Sequence, residues 1–408
     1  MKCIAADCRA FEILLNEITM ETNQATVPYS LRDLTIYFLK LGAWGFGGPV
    51  ALAGYMHRDL VETRKWISEE DYREGLALAQ LAPGPLAAQL GIYMGYVHYK
   101  ILGATLAGIA FVLPSFFMVL VLGYVYVTWG GIPWMQAVFY GVGAAVIGII
   151  AFSAYKLTRK SIGNNKLLIA IYVIAGAYTI WQEDENIWLF LGAGIIYWLV
   201  KAPPGKLSFL KGRSAISKTM LFPALLNATV AAPSKTLWQI LLYFTKAGAF
   251  VFGSGLAIVP FLYGGVVKDY AWLNEQQFMD AVAVAMITPG PVVITVGFIG
   301  YLVAGFPGAC VAAFATFFPC YLFTVLPAPY FRKYGKHAGI KAFVDGVTAA
   351  AIGAIAGAVI VLGRRSLPDI YTISIAVITV AMLWKFRKLP ESVIILTAAG
   401  VGLLLKGI

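Results

Sequence analysis

The sequence predicts an all-α polytopic membrane protein made of two inverted-topology repeats with broken, re-entrant helices. Three observations carry that prediction: composition, a set of landmarks that recurs at fixed spacing, and the charge of the connectors. Of 408 residues, 60% are hydrophobic and 12% charged, whereas a soluble globular chain carries about 25% charged residues. Apolar runs close to the ~20 residues that cross a bilayer cover 104–128, 137–154, 166–181 and 187–200, then 311–326, 346–362, 370–383 and 392–405.

The landmarks define the repeats. An offset of 206 pairs Lys40 with Lys246, Gly42 with Gly248, Trp66 with Trp272, Glu74 with Asp280, and Pro83-Gly84-Pro85 with Pro289-Gly290-Pro291. An offset of 205 then pairs Gly95-Tyr96 with Gly300-Tyr301, Pro114 with Pro319, Gly141 with Gly346 and Arg159 with Arg364. The organisation is a non-membrane segment 1–33, a first repeat 34–201, a basic linker 202–238 and a second repeat 239–408. Within each repeat come a segment broken at FGG or FGS, a polar stretch, a segment broken at PGP, and four ordinary spans.

Connector charge sets the orientation. The connector 128–134 carries no charge, while its counterpart holds Arg332, Lys333, Lys336 and Lys341. Glu183, Asp184 and Glu185 correspond to a stretch with Lys385, Arg387 and Lys388. Basic residues mark the cytoplasmic side, so opposite charge at equivalent connectors places the copies in opposite orientations. Lys156, Arg159 and Lys160 against Arg364 and Arg365 dissent, two connectors to one. Inversion needs an odd number of crossings per repeat, so one broken segment spans and the other re-enters.

The net charge of +11 is explained by topology and excludes nucleic acid as a partner, since no soluble basic domain exists to bind it. Cys3, Cys8, Cys310 and Cys320 lack metal-ligand spacing. No nucleophile elbow, P-loop or dinucleotide fingerprint occurs. The chain is therefore read as a non-enzyme without a cofactor, and ATP-driven pumping is disfavoured.

The breaks carry the function. Proline removes a donor and restricts its predecessor, and glycine permits unusual torsions. Each PGP should thus open a half-helix, beginning at Pro85 or Pro291, whose N-terminus faces the protein interior. Such an end offers free N–H groups and partial positive charge to an anion. The amides of Gly47-Gly48 and Gly253-Ser254 can form a second cradle. Lys40 and Lys246 lie within apolar runs, where a lysine is costly and defaults to a functional role; snorkelling is the alternative. Gln89 and Thr295, in the first turn after each PGP, either donate to an oxyanion or tie helices together. Gln80 faces Met286 in the alignment, so its role is one-sided. Glu74 and Asp280 are either helix-start acids or proton-coupling groups.

In sum these motifs resemble the chromate ion transporter family in its long, two-domain form. The resemblance is carried by KLGAWGFGGP with GYM (Gly54 to Met56), RKW (Arg64 to Trp66), QLAPGP (Gln80 to Pro85) and FVLPS (Phe111 to Ser115). The second copy contributes KAGAFVFGSG, Val259-Pro260, TPGPVVITVGFIGY and FFPCYLF. It implies transport of chromate across the cytoplasmic membrane by ion gradients, often as efflux conferring resistance, with sulfate as the natural competitor. It carries roles onto Lys40, Phe46 to Pro49, Gln80, Pro83 to Pro85, Lys246, Phe252 to Gly255 and Pro289 to Pro291. Ser254-Gly255 and the APGP form depart from the family pattern, which bears on anion preference. The expected partners are the oxyanion and the lipid bilayer, with a homodimer left open. A passive anion channel is the alternative, separable by whether an opposing gradient drives accumulation. A membrane scaffold or intramembrane enzyme would show no flux.

Overall fold

The computed structural model describes residues 29–46, 48–129, 133–182, 187–203, 235–250, 258–334, 337–386 and 391–406. Gly47, Gly253, Ser254, residues 1–28 and most of the linker lie outside the described residues. Every regular element among those described is helical.

In the first repeat, α1 (Leu31–Trp44) starts at Ser30, whose side chain and that of Asp33 form a reciprocal cap. It buries Leu34, Tyr37, Phe38 and Leu41. After a break, α2 (Gly48–Met56) runs into a π-helical turn, His57–Thr63. Then come α3 (Glu69–Leu81), α4 (Leu86–Trp129), α5 (Pro133–Ser161), α6 (Lys166–Gln182) and α7 (Ile187–Lys201). The second repeat has α8 (Lys235–Ala249), α9 (Ile258–Tyr263), a π-helical turn Gly264–Asp269, α10 (Glu275–Ile287) and a 3-10 turn Val292–Ile294. It continues with α11 (Thr295–Val325), α12 (Ala328–Tyr334), α13 (Ala338–Ser366), α14 (Ile370–Lys385) and α15 (Glu391–Leu405).

The backbone repeats as the sequence does. Positive φ occurs at Lys65 and Ala271, at Gly84 and Gly290, and at Lys100 and Gly305, pairs that share the 206 or 205 offset. Buried Tyr37 and Phe38 match buried Tyr243 and Phe244.

Two folds-back per repeat shape the broken segment. Gly75 on α3 packs against Tyr93 and Met94 on α4, so α3 and the start of α4 form a hairpin with Pro83-Gly84-Pro85 at its tip. At Lys100 the chain reverses again, and Gly95 meets the backbone of Gly103. The second repeat reverses at Ala304 and Gly305, bringing Gly300 against Gly308. Glycine at these crossings lets backbones touch, the usual device of membrane helix pairs. The PGP segment therefore folds back on itself at each end rather than running as one straight helix.

The later helices are exchanged between repeats. Gly141 on α5 abuts Ala398 and Gly402 on α15, and Gly346 on α13 abuts Ala193 and Gly194 on α7. Likewise Gly148 on α5 meets Thr379 on α14, and Gly353 on α13 meets Tyr172 on α6. Each repeat thus packs its central helix onto the last two helices of the other.

Four helices, Leu86–Trp129, Trp134–Ser161, Val292–Phe331 and Ala338–Arg364, are long and apolar enough to cross a membrane, with four shorter apolar helices beside them. The exterior carries Phe117, Val121, Ile174, Val200 and Leu404 in exposed positions, as lipid-facing helices require. The chain is a multi-pass helical membrane protein, consistent with a duplicated inverted-repeat fold.

Candidate functional site: where the breaks meet

The two PGP tips converge. Pro85 and Ala87 from the first, with Gly290, Pro291 and Val292 from the second, line one small cavity together with Pro49 and Leu52 beside the FGG break. A backbone bond crosses the same place: the Gly290 N–H donates to the Gly45 carbonyl at 3.0 Å. The second PGP tip is thus tied directly to the first glycine break. The cavity measures about 10 Å³, near the minimum for a single water.

The local chemistry explains each tip. Ala82 is extended (φ −80°, ψ 142°), as the residue before proline should be, and it ends α3. Gly84 has φ +143° and Gly290 φ +96°, conformations that L side chains rarely adopt. The Pro85 carbonyl accepts from the Gln89 N–H at 3.0 Å, so α4 starts directly after the tip. In the second repeat the 3-10 turn intervenes and α11 starts only at Thr295, a difference between the copies that the matching motifs did not announce.

Gln89 and Thr295 are fully buried, and both bond locally. Gln89 Nε2 donates to the Pro83 carbonyl at 2.8 Å, and Thr295 Oγ1 donates to the Val292 carbonyl at 2.8 Å. They stitch the chain after each tip. Gln89 Oε1 is buried without a hydrogen-bond partner. Gly48 opens α2 with φ +74° and lies beside Pro49, on the cavity wall.

The lysines stand apart from this cavity. Lys40 and Lys246 are exposed on α1 and α8, and Gln80 is exposed at the end of α3; none of the three lines the cavity. The two paired acids also separate. Glu74 is half-buried, whereas Asp280 is buried and accepts hydrogen bonds from Tyr126 and Gln276.

Two neighbours of the breaks escaped the sequence reading. Ser115 Oγ would lie 2.8 Å from a Cβ added at Gly290, so α4 of the first repeat supports the second tip. The Glu391 carboxylate, from the start of α15, comes to 3.7 Å of a Cβ placed at Gly48. Ser115 was visible as part of the FVLPS motif, while Glu391 carried no local signal.

Discontinuous helices whose tips meet between two repeats, in a multi-pass helical protein, define a secondary transporter fold. The chain matches the family model described as "Chromate transporter" twice, over residues 32–198 and 238–403, and it belongs to that family. It is 68% identical over 379 residues to the "Chromate transport protein" of Cupriavidus metallidurans, covering 93% of this chain and 94% of the relative. It is 64% identical to the "Probable chromate transport protein" of Synechococcus elongatus over 380 residues, 92% and 96% of the two chains. The "Chromate transport protein" of Pseudomonas aeruginosa is 29% identical over 401 residues, 93% of each. No solved structure matches the chain.

Proposed function

We propose that this protein moves a tetrahedral divalent oxyanion, chromate or the similar sulfate, across the cytoplasmic membrane by alternating access around the cavity between the two PGP tips. The observation that carries the reading is the convergence of Pro49, Pro85, Gly290 and Pro291 on one buried point. The start of α4 at the first tip, and the 3-10 turn leading into α11 at the second, supply amide dipoles to an anion there. A cavity of about 10 Å³ is too small for such an anion, so the tips must part to admit it; the Gly290–Gly45 bond is what has to open. The amides around Gly48 extend the cradle. Gln89 and Thr295 keep the tips in shape. Lys40 and Lys246, exposed one turn before the first and second glycine breaks, raise the local anion concentration rather than clasp the anion. Gln80 belongs to the same approach. One chain contains both tips, so a homodimer is not needed to complete the site.

Labelled sulfate and chromate flux into proteoliposomes of the purified protein, under imposed pH and voltage gradients, tests this. Uphill accumulation is expected. The Lys40→Ala, Lys246→Ala double variant should raise KM and flatten its salt dependence while leaving maximal flux in place. Flux that only dissipates a gradient would identify a channel, and absence of flux for both anions would overturn the reading.

A further inference from the structure

Burying a carboxylate without a cation is costly, yet Asp280 is 4% exposed. Among the described residues no lysine, arginine or histidine pairs with it. Its Oδ2 accepts from Tyr126 Oη at 2.7 Å and its Oδ1 from Gln276 Nε2 at 2.9 Å. These are its hydrogen-bond partners among the described residues: Tyr126 comes from α4 of the first repeat and Gln276 from the same helix, α10. A cavity of about 460 Å³ opens beside them, and both hydrogen-bond partners of Asp280 line it together with Trp272, Asn274 and Gln277. That lining is polar enough to hold water.

The equivalent place in the first repeat is built differently. Glu74 stands for Asp280, Glu70 for Gln276 and Phe331 for Tyr126, by the same offsets. Phe331 has no hydroxyl to offer a carboxylate, and an ionised Glu70 has no proton to donate. Glu74 is also only half-buried. The tyrosine bond of Asp280 therefore has no counterpart at the equivalent position of the first repeat.

We propose that Asp280, rather than its counterpart Glu74, is a proton-binding residue of the transport cycle, loaded from the cavity at Trp272 and acting through the Tyr126 contact between the repeats. This rests on the oxyanion-transport reading and deepens it. Ionised, Asp280 holds Tyr126 by a charge-assisted bond and so clamps α10 to α4. A proton delivered by water neutralises the carboxyl, reduces that bond to a neutral one of about half the strength, and loosens α10. The same helix ends at the second PGP tip, eight residues or about 12 Å further on at 1.5 Å per residue. Loosening α10 frees the tip that Gly290 ties to Gly45. The positive charge carried in with the proton also offsets part of the anion's charge in the same cycle.

The test uses the full-length protein in proteoliposomes with labelled sulfate. Wild type should accumulate sulfate when a pH gradient is imposed. Asp280→Asn should lose accumulation yet still exchange labelled for unlabelled sulfate at zero gradient, and Glu74→Gln should keep its gradient dependence. Tyr126→Phe removes a bond to the ionised form, so the pH for half-maximal uptake should move up by about one unit. Accumulation by Asp280→Asn equal to wild type, loss of gradient dependence in Glu74→Gln, or sulfate flux in wild type that ignores the pH gradient would each overturn the proposal. If the Asn variant does not fold, the Tyr126→Phe shift decides, and an unshifted profile counts against it. If wild type moves neither sulfate nor chromate, the transport reading fails by itself. The proton site is then judged by infrared titration: a protonated-carboxyl band present in wild type and missing in Asp280→Asn supports it, and identical bands overturn it.

Discussion

At the scale of single residues, the PGP glycines are the least replaceable positions. A Cβ at Gly84 would stand 2.6 Å from the Gln89 amide, and one at Gly290 would stand 2.8 Å from Ser115 Oγ. Both residues also hold positive φ, a strain of about 1–3 kcal/mol for an alanine before any clash is counted. Gly84→Ala and Gly290→Ala are therefore expected to lower the melting temperature of the detergent-solubilised protein and to abolish flux. Gly305 provides the contrast. Its φ is +63° with open space around it, and its counterpart Lys100 already adopts φ 50°. Gly305→Asn should lower the melting temperature by the backbone strain alone and still transport; equal damage from Gly305→Asn and Gly290→Ala would remove the argument from local crowding. The need for glycine at the tips was legible in the sequence, because two PGP motifs at one offset are hard to explain otherwise. The exposure of Lys40 and Lys246 was not. Which side of a helix faces a neighbour depends on the helix it meets, and a lysine flanked by apolar residues reads the same on either side.

At the scale of elements, ties between the repeats hold the helices in register. Tyr140 Oη on α5 donates to Asp369 Oδ2 at 2.5 Å, and Asp369 caps α14 by accepting from the Thr372 N–H at 2.8 Å. The Tyr140 bond, then the Thr372 bond, hold the Asp369 carboxyl below the usual carboxylate range. A depressed pKa in the folded state contributes stability above the unfolded value of 3.8, and that contribution is lost as pH falls through the lower, folded value. Melting curves taken between neutral and strongly acidic pH should show part of the acid loss of stability removed in Asp369→Asn. An unchanged acid limb would show that the cap does not report on this contact. The pairing of Glu74 with Asp280 teaches the same lesson about elements. Alignment made them equivalent, yet Asp280 is buried and bonded to a tyrosine of the other repeat, whereas Glu74 is half-buried and Phe331 stands at the position equivalent to Tyr126.

At the scale of the whole molecule, the exchange of helices makes the repeats interdependent. The central helix α5 rests on α14 and α15, while α13 rests on α6 and α7, so neither repeat contains the partners its own central helix needs. Either half expressed alone, 1–201 or 239–408, should give no flux and aggregate on solubilisation. Co-expressed halves should co-purify and recover transport. Full activity from one half would show that the exchange is dispensable. The split also bears on alternating access: a change at one PGP tip reaches the other through the Gly290–Gly45 bond and through helices shared by both repeats.

The sequence by itself determined that the chain lies in a membrane, that it is written twice, that each copy breaks at glycine and at Pro-Gly-Pro, and which family it resembles. These follow from composition, spacing and backbone chemistry, which are local and survive without knowledge of neighbours. Only the tertiary structure decided that the two tips and the first glycine break share one cavity, that the lysines lie outside it, that Asp280 is buried against Tyr126, and that the repeats trade their last helices. Each of these is a contact between segments far apart in the chain, and contact is set by which faces the folded helices turn towards one another.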